Sequence, residues 1–193
     1  MSLRLTHLVL FVVTLLGLGC MHARWTVVRQ TSPNPFNVDA TFAVEPLHYE
    51  GMTVAGGTEA QYLSDKTDDL KNLWESDKQQ TATTYAERVS ADAALNARAI
   101  VAGSPPDPKA YLVRATVVTL EPGAFAGVAV QPTEMRIVLQ VLAPGGTQVL
   151  DEVKLRAHVP AGSTSPSTGG RLRSAANELG AATAEYLRSR VPH

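Results

Sequence analysis

Five histidines, one cysteine and one aspartate that breaks its local pattern are the residues of this chain whose chemistry matters first. His7, His22, His48, His158 and His193 are scattered, and none stands at metal-ligand spacing from another histidine, the cysteine or a carboxylate. The chain contains no Gly-x-Ser-x-Gly elbow, no Ser-x-x-Lys pair and no lysine-bearing phosphate loop, the local signatures of activated serine and of phosphate binding. Gly56-Gly57 has neither a lysine nor a preceding strand and reads as a turn. Asp151 takes an inward position between Val149 and Val153. A buried carboxylate needs a partner, for which Arg114 or Arg136 on a neighbouring strand would serve; the other reading is a bulge or a frayed strand start where Asp151 meets water. His158 reads as a solvent-facing strand residue. These residues assemble no nucleophile, base or metal set, so the chain is expected to be no enzyme and to need no cofactor.

Cys20 has a different context. Arg4 and His7 precede an apolar run over residues 8–19, which ends on Gly17, Leu18 and Gly19. Twelve residues are too few for a membrane span, which needs about 20, but suit the apolar part of a secretory signal with small residues at its exit. A lone cysteine directly after such a run resembles the lipobox of bacterial lipoproteins. It departs from the family pattern in holding Gly17 three places before the cysteine, with Leu16 one place further out. The resemblance implies cleavage before Cys20 and acylation of its sulfur and new amine. Two or more acyl chains hold a protein firmly on a bilayer. Met21 follows Cys20 where aspartate tends to retain such proteins in the inner membrane, which points to the outer membrane and the periplasmic side.

Removing residues 1–19 from the 193 takes only Arg4 among the charged side chains and shifts the net charge from −1 to −2. That balance argues against nucleic acid, which requires clustered positive charge. Residues 20–37 are expected to be a lipid-anchored tether, with Pro33 and Pro35 disfavouring helix. Arg24, Trp25 and Arg29 stand close to the anchor, where indole rings and arginines suit the headgroup zone; the alternative is that residues 25–28 pair as an edge strand.

Residues 38–193 are expected to form a single domain. Phe36, Val38, Ala40, Phe42 and Val44 alternate with polar residues as in a half-buried strand. Thr58 and Gln61 predict a capping box. A helical stripe follows through Leu63, Leu70, Leu73, Trp74, Tyr85 and Val89, with a break near residues 77–81. Inside that stripe Trp74 reads as core. Three strands follow: Tyr111, Val113, Ala115 and Val117 share a face, Thr133 to Val141 alternate strictly, and Val149 to Val159 put Glu152, Lys154, Arg156 and His158 outward. Leu172, Leu179 and Tyr186 recur every seven residues in a closing helix. The order β-α-β-β-β-α predicts an α+β two-layer sandwich, with a mostly antiparallel four-stranded sheet and its helices on one face.

Between the first two of these three strands lies an uncharged apolar link over residues 122–130. Surface of this kind marks a contact site, and Phe125, Val128 and Val130 are its candidate partner-binding residues; the other reading folds the link back into the core. Leu120-Glu121-Pro122-Gly123 before a long hairpin, and Gly169-Gly170 before an alanine-rich helix, resemble small lipoprotein domains of unknown function in Gram-negative envelopes. More distantly they resemble transport-auxiliary lipoproteins. The resemblance spans roughly residues 111–187 and implies no catalytic residues. It implies an accessory component of an envelope complex, held to membrane lipid through Cys20 and working through contacts with other envelope proteins. The alternative is an auxiliary module that binds a hydrophobic ligand or lipid for envelope transport.

Overall fold

The computed structural model describes residues 25–101, 105–126, 129–162 and 167–192. Three long strands make the frame: β6 (Tyr111–Glu121), β9 (Thr133–Leu142) and β10 (Val149–Val159). They pair antiparallel in the order β10-β9-β6. Their alternation is nearly complete, with Val113, Ala115, Val117, Met135, Ile137, Leu139, Val141, Val153 and Leu155 buried on one face. Side chains alternate across a strand, so the polar set between them covers the other face.

The sheet is larger than four strands and is mixed. Strand β1 (Trp25–Arg29) adds to β10, while β2 (Thr41–Val44) and β5 (Asn96–Ala99) add parallel on the β6 side. Residues expected to be tether therefore include an edge strand, the alternative that residues 25–28 left open. Phe36 to Val44 is not one strand. Asn37 closes a turn by accepting the Ala40 amide at 3.1 Å, which throws Val38 out to 63% exposure while Phe36, Ala40, Phe42 and Val44 stay buried. Pro46 then interrupts the ladder, having no N–H to donate. The chain rejoins β6 through a bridge from His48 to Thr116 and through β3 (Thr53–Val54), which pairs with Thr119 and Leu120 and with the short β4 (Gly57–Thr58). In effect β2 and β3 are one broken strand laid along β6.

Helix α1 (Glu59–Leu63) opens on the capping box, with the Thr58 hydroxyl accepting the Gln61 amide and the Gln61 side chain accepting the Thr58 amide. The helical break falls after α1 and not at residues 77–81. Thr67 caps a fresh helix, α2 (Asp68–Ser90), whose Asp68 and Asp69 suit the positive end of the dipole. The polar run at 79–84 stays helical, with the Thr83 and Thr84 hydroxyls donating back to the carbonyls of Gln79 and Gln80. Trp74, Ala82, Tyr85, Ala86 and Val89 are buried, but Leu70 and Leu73 are half exposed. They line an open groove with Tyr62 and Leu63 between α1 and α2.

Helix α3 (Thr168–Arg190) buries Leu172, Ala176, Leu179, Thr183, Tyr186 and Leu187, the stripe read from the heptad spacing. It lies on β9 and β10, and α2 lies beside it on β5 and β2. The two helices touch closely: a Cβ at Gly180 would stand 2.8 Å from the Cβ of Arg88 and 3.0 Å from the Tyr85 carbonyl. Across the same seam the hydroxyls of Tyr85 and Thr183 bond at 3.0 Å. Burial pushes the Tyr85 phenol up, so it stays neutral there.

Candidate functional site: an apolar hairpin on a locked root

The uncharged link between β6 and β9 forms a β-hairpin of its own. Strands β7 (Ala124–Ala126) and β8 (Ala129–Gln131) pair as a separate two-stranded sheet, with Phe125 opposite Val130. Val130 is half exposed. Val128 lies outside the described residues. The root of the hairpin is fixed sterically and electrostatically. Gly123 has φ +67°, and a Cβ there would fall 2.5 Å from the Gln131 carbonyl oxygen, so glycine alone fits. The Thr133 hydroxyl donates to the Pro122 carbonyl at 2.7 Å.

Over this root lies Arg171, at 1% exposure the largest fully buried side chain among the described residues. Its Nε donates to the Thr133 hydroxyl at 3.0 Å, and its Nη2 donates to the Pro122 carbonyl at 3.2 Å and the Thr168 hydroxyl at 3.3 Å. An arginine in the first turns of a helix opposes the macrodipole, and burying its charge costs several kcal/mol before compensation. Those costs are offset by what the guanidinium ties together: the start of α3 and both ends of the hairpin. The sequence reading missed Arg171. Its only signal is a cation four residues after the Ser167 cap, on the inward stripe one position before Leu172.

A second polar cluster stands at the opposite end of the sheet. Asp151 is wholly buried, next to a register shift between Val149 and Asp151. The bulge is there, but the carboxylate does not meet water, and its partner is neither Arg114 nor Arg136. Its Oδ1 accepts the Thr31 amide at 2.9 Å and Arg190 Nη2 at 3.4 Å; its Oδ2 accepts the Tyr186 hydroxyl at 2.7 Å and Arg190 Nε at 2.8 Å. Arg190 also donates to the Thr31 carbonyl, and the Asn34 amide donates to the Arg190 carbonyl. Burial and the hydrogen bond to Asp151 push the Tyr186 phenol up to about 12. Both carboxylate oxygens are engaged, so the group is a clasp joining residues 31–34, β10 and the end of α3.

The remaining residues singled out in the sequence are dispersed. Cys20 and Arg24 lie outside the described residues. Trp25 opens β1 with its ring edge-on to Tyr186, centroids 5.7 Å apart, and Arg29 closes the same strand opposite Glu152. Arg114 forks onto Glu45 at 2.7 and 3.1 Å, and Arg136 and Arg156 share Glu134. His48 meets Glu45 at 2.9 Å, and His158 is exposed on β10. Trp74 is core, its Nε1 donating to Glu59. No group of three or more His, Cys, Asp or Glu is placed to hold a metal ion among the described residues. Among them, too, no helix is long and apolar enough to cross a membrane.

The fold is thus an α+β sandwich of a mixed sheet under two long helices. No protein-family model matches the chain, and no curated protein does. Among solved structures it is similar to the PelC dodecamer protein of Paraburkholderia phytofirmans, with 13% identity over 82% of this chain and 96% of that one, TM-score 0.42. A Xanthomonas campestris protein of the family model DUF330 shares 10% identity over 85% of this chain and 94% of its own, TM-score 0.48. A minor lipoprotein of Acinetobacter baumannii shares 12% identity over 77% and 93%, TM-score 0.39. Likeness at this level carries no argument about function.

Proposed function

We propose that this chain is a non-catalytic, lipid-anchored accessory component of a bacterial outer membrane complex, held through Cys20 and facing the periplasm, and that it works by protein contact through the β7–β8 hairpin. One observation carries the reading: a buried arginine is committed to the root of an apolar hairpin that stands apart from the main sheet, with Val130 on it half exposed. A loop needed only to connect two strands has no use for such a fixed base. The alternative, a module with a hydrophobic ligand between sheet and helices, is less favoured because that interlayer is filled: Leu139, Val141, Leu172, Leu179 and Leu187 are at 0–1% exposure.

The test has two arms. Intact-mass analysis of protein from native membranes should show cleavage before Cys20 and added acyl chains; a bare thiol or an uncut leader refutes the anchor. A photocrosslinking residue at position 130, with a control at Gly145 in the turn between β9 and β10, should give a discrete protein adduct at 130 alone. Phe125→Ser with Val128→Ser should abolish that adduct while leaving the fold intact. Equal adducts at both positions, or unfolding of the double variant, refutes the hairpin as the contact element.

A further inference from the structure

Strand β1 has a direction that bears on where the bilayer lies. Trp25 pairs with Leu155 and Arg29 pairs with Glu152, so β1 followed backward runs toward Val159, which pairs with Thr133 at the root of the hairpin. The entry of the chain and the hairpin therefore share one end of the sheet. Five peptide units separate Cys20 from Trp25, and a chain spans at most ~3.6 Å per residue. The lipid-bearing residue thus lies within about 18 Å of Trp25 by any path.

On the open face at this end, beside Trp25, lies a groove of about 540 Å³. Its lining includes Val118 and Val138 together with Arg136, Lys154 and Arg156, and no carboxylate. Arg136 and Arg156 are direct cross-strand partners, and like charges so placed repel unless an anion stands between them. Glu134 supplies one such anion from the neighbouring row, bonded to both. Glu121 pairs with Glu134 one row nearer the hairpin and is the other carboxylate on that row. Lys154, opposite Thr26 on β1 and Val138 on β9, is exposed and forms no ion pair among the described residues.

We infer that this groove seats the phosphate of an anionic phospholipid in the bilayer that carries the anchor, so that the domain lies with its open sheet face and β1 edge against the membrane. The assignment rests on the Cys20 anchor proposed above, which sets the reach, and on Lys154, the one basic side chain of the lining with no ion pair among the described residues, which selects an anionic occupant. A surface so held fixes the orientation of the hairpin relative to the bilayer, which a flexible tether alone would leave free.

The test uses the mature chain with Cys20→Ser, so that binding by acyl chains plays no part. Co-sedimentation with vesicles of phosphatidylcholine and phosphatidylglycerol is compared with phosphatidylcholine alone, at low and high salt. Each basic side chain at an anionic surface is worth about fivefold in partitioning. The wild-type chain should prefer the anionic vesicles, and lose that preference in high salt. Lys154→Gln alone should lose about fivefold, and its combination with Arg136→Gln and Arg156→Gln should lose at least as much. Removing three basic side chains elsewhere, by Lys71→Gln, Arg98→Gln and Lys109→Gln, should change nothing. Equal binding to both vesicle types, no binding, or equal loss in the control set overturns the proposal. So does a protein crosslink from position 154 in cells with vesicle binding unchanged by Lys154→Gln, which would give the groove to an acidic protein. The anchor is judged separately by intact mass, so neither failure is mistaken for the other.

Discussion

Asp151→Asn probes the clasp at the end of the sheet. The substitution keeps the volume and exchanges one carboxylate oxygen for an NH2. One oxygen faces the Thr31 amide and Arg190 Nη2, and the other faces the Tyr186 hydroxyl and Arg190 Nε. Either orientation of the asparagine amide therefore sets a donor against two donors, of which only the Tyr186 hydroxyl can turn to accept. Arg190, whose side chain is 11% exposed, is left charged without its counter-ion. Breaking a buried pair from one side costs about 3–5 kcal/mol. At about 2–4 °C per kcal/mol for a domain of this size, the melting temperature should fall by roughly 6–20 °C. Urea denaturation followed by circular dichroism measures the loss, and hydrogen exchange should show the Thr31 amide deprotected. Asp151→Asn combined with Arg190→Met removes the stranded charge as well and should be more stable than the sum of the two single losses implies. A loss below about 1 kcal/mol, or strict additivity of the pair, would refute the clasp, since exposed polar changes stay within about 0.5 kcal/mol.

Three further outcomes follow from the geometry. Arg171→Met should cost about 1.5–3 kcal/mol, the range for hydrogen bonds to a charged group, and should speed exchange at the amides of residues 124–131 more than in the middle of β9; uniform loosening would contradict its role at the hairpin root. Gly180→Ala gains ~1 kcal/mol of helix propensity but drives a methyl into the Tyr85 carbonyl and Arg88, an overpacking cost of about 1–3 kcal/mol, so chemical denaturation should show a net loss. Glu45 is pushed up by burial but pulled further down by Arg114 and His48, leaving it below its ordinary 4.5. A carboxylate lowered in the folded state stabilises above its unfolded value, and that contribution is lost as the pH falls through 4.5 and below. The stability difference between wild type and Glu45→Gln should therefore shrink toward zero on acidification, and a constant difference would refute the pairing.

Much of this chain was legible because its signals are local. The alternation in β6, β9 and β10, the Thr58–Gln61 capping box and the heptad spacing of α3 each depend on residues within one or two turns or pleats of one another. Such patterns survive in any tertiary context that offers one apolar surface. The uncharged link after Glu121 was visible for the same reason. The break after α1 was harder, because Thr67 is one of several residues able to cap, and Leu70 and Leu73 extend an apolar pattern that the fold leaves half exposed. Tertiary structure alone decided which strands are neighbours. The parallel pairing of β2 with β5 and β6, and the laying of β2 and β3 end to end, join segments far apart in the chain. It alone set the fate of the buried charges. Asp151 finds Arg190 thirty-nine residues on, and Arg171 finds the hairpin root thirty-eight and forty-nine residues back. A charge advertises its cost to the chain wherever it stands, but its compensation is a matter of position in space. Periodicity in one dimension says which face is buried, and only packing brings that face its partner.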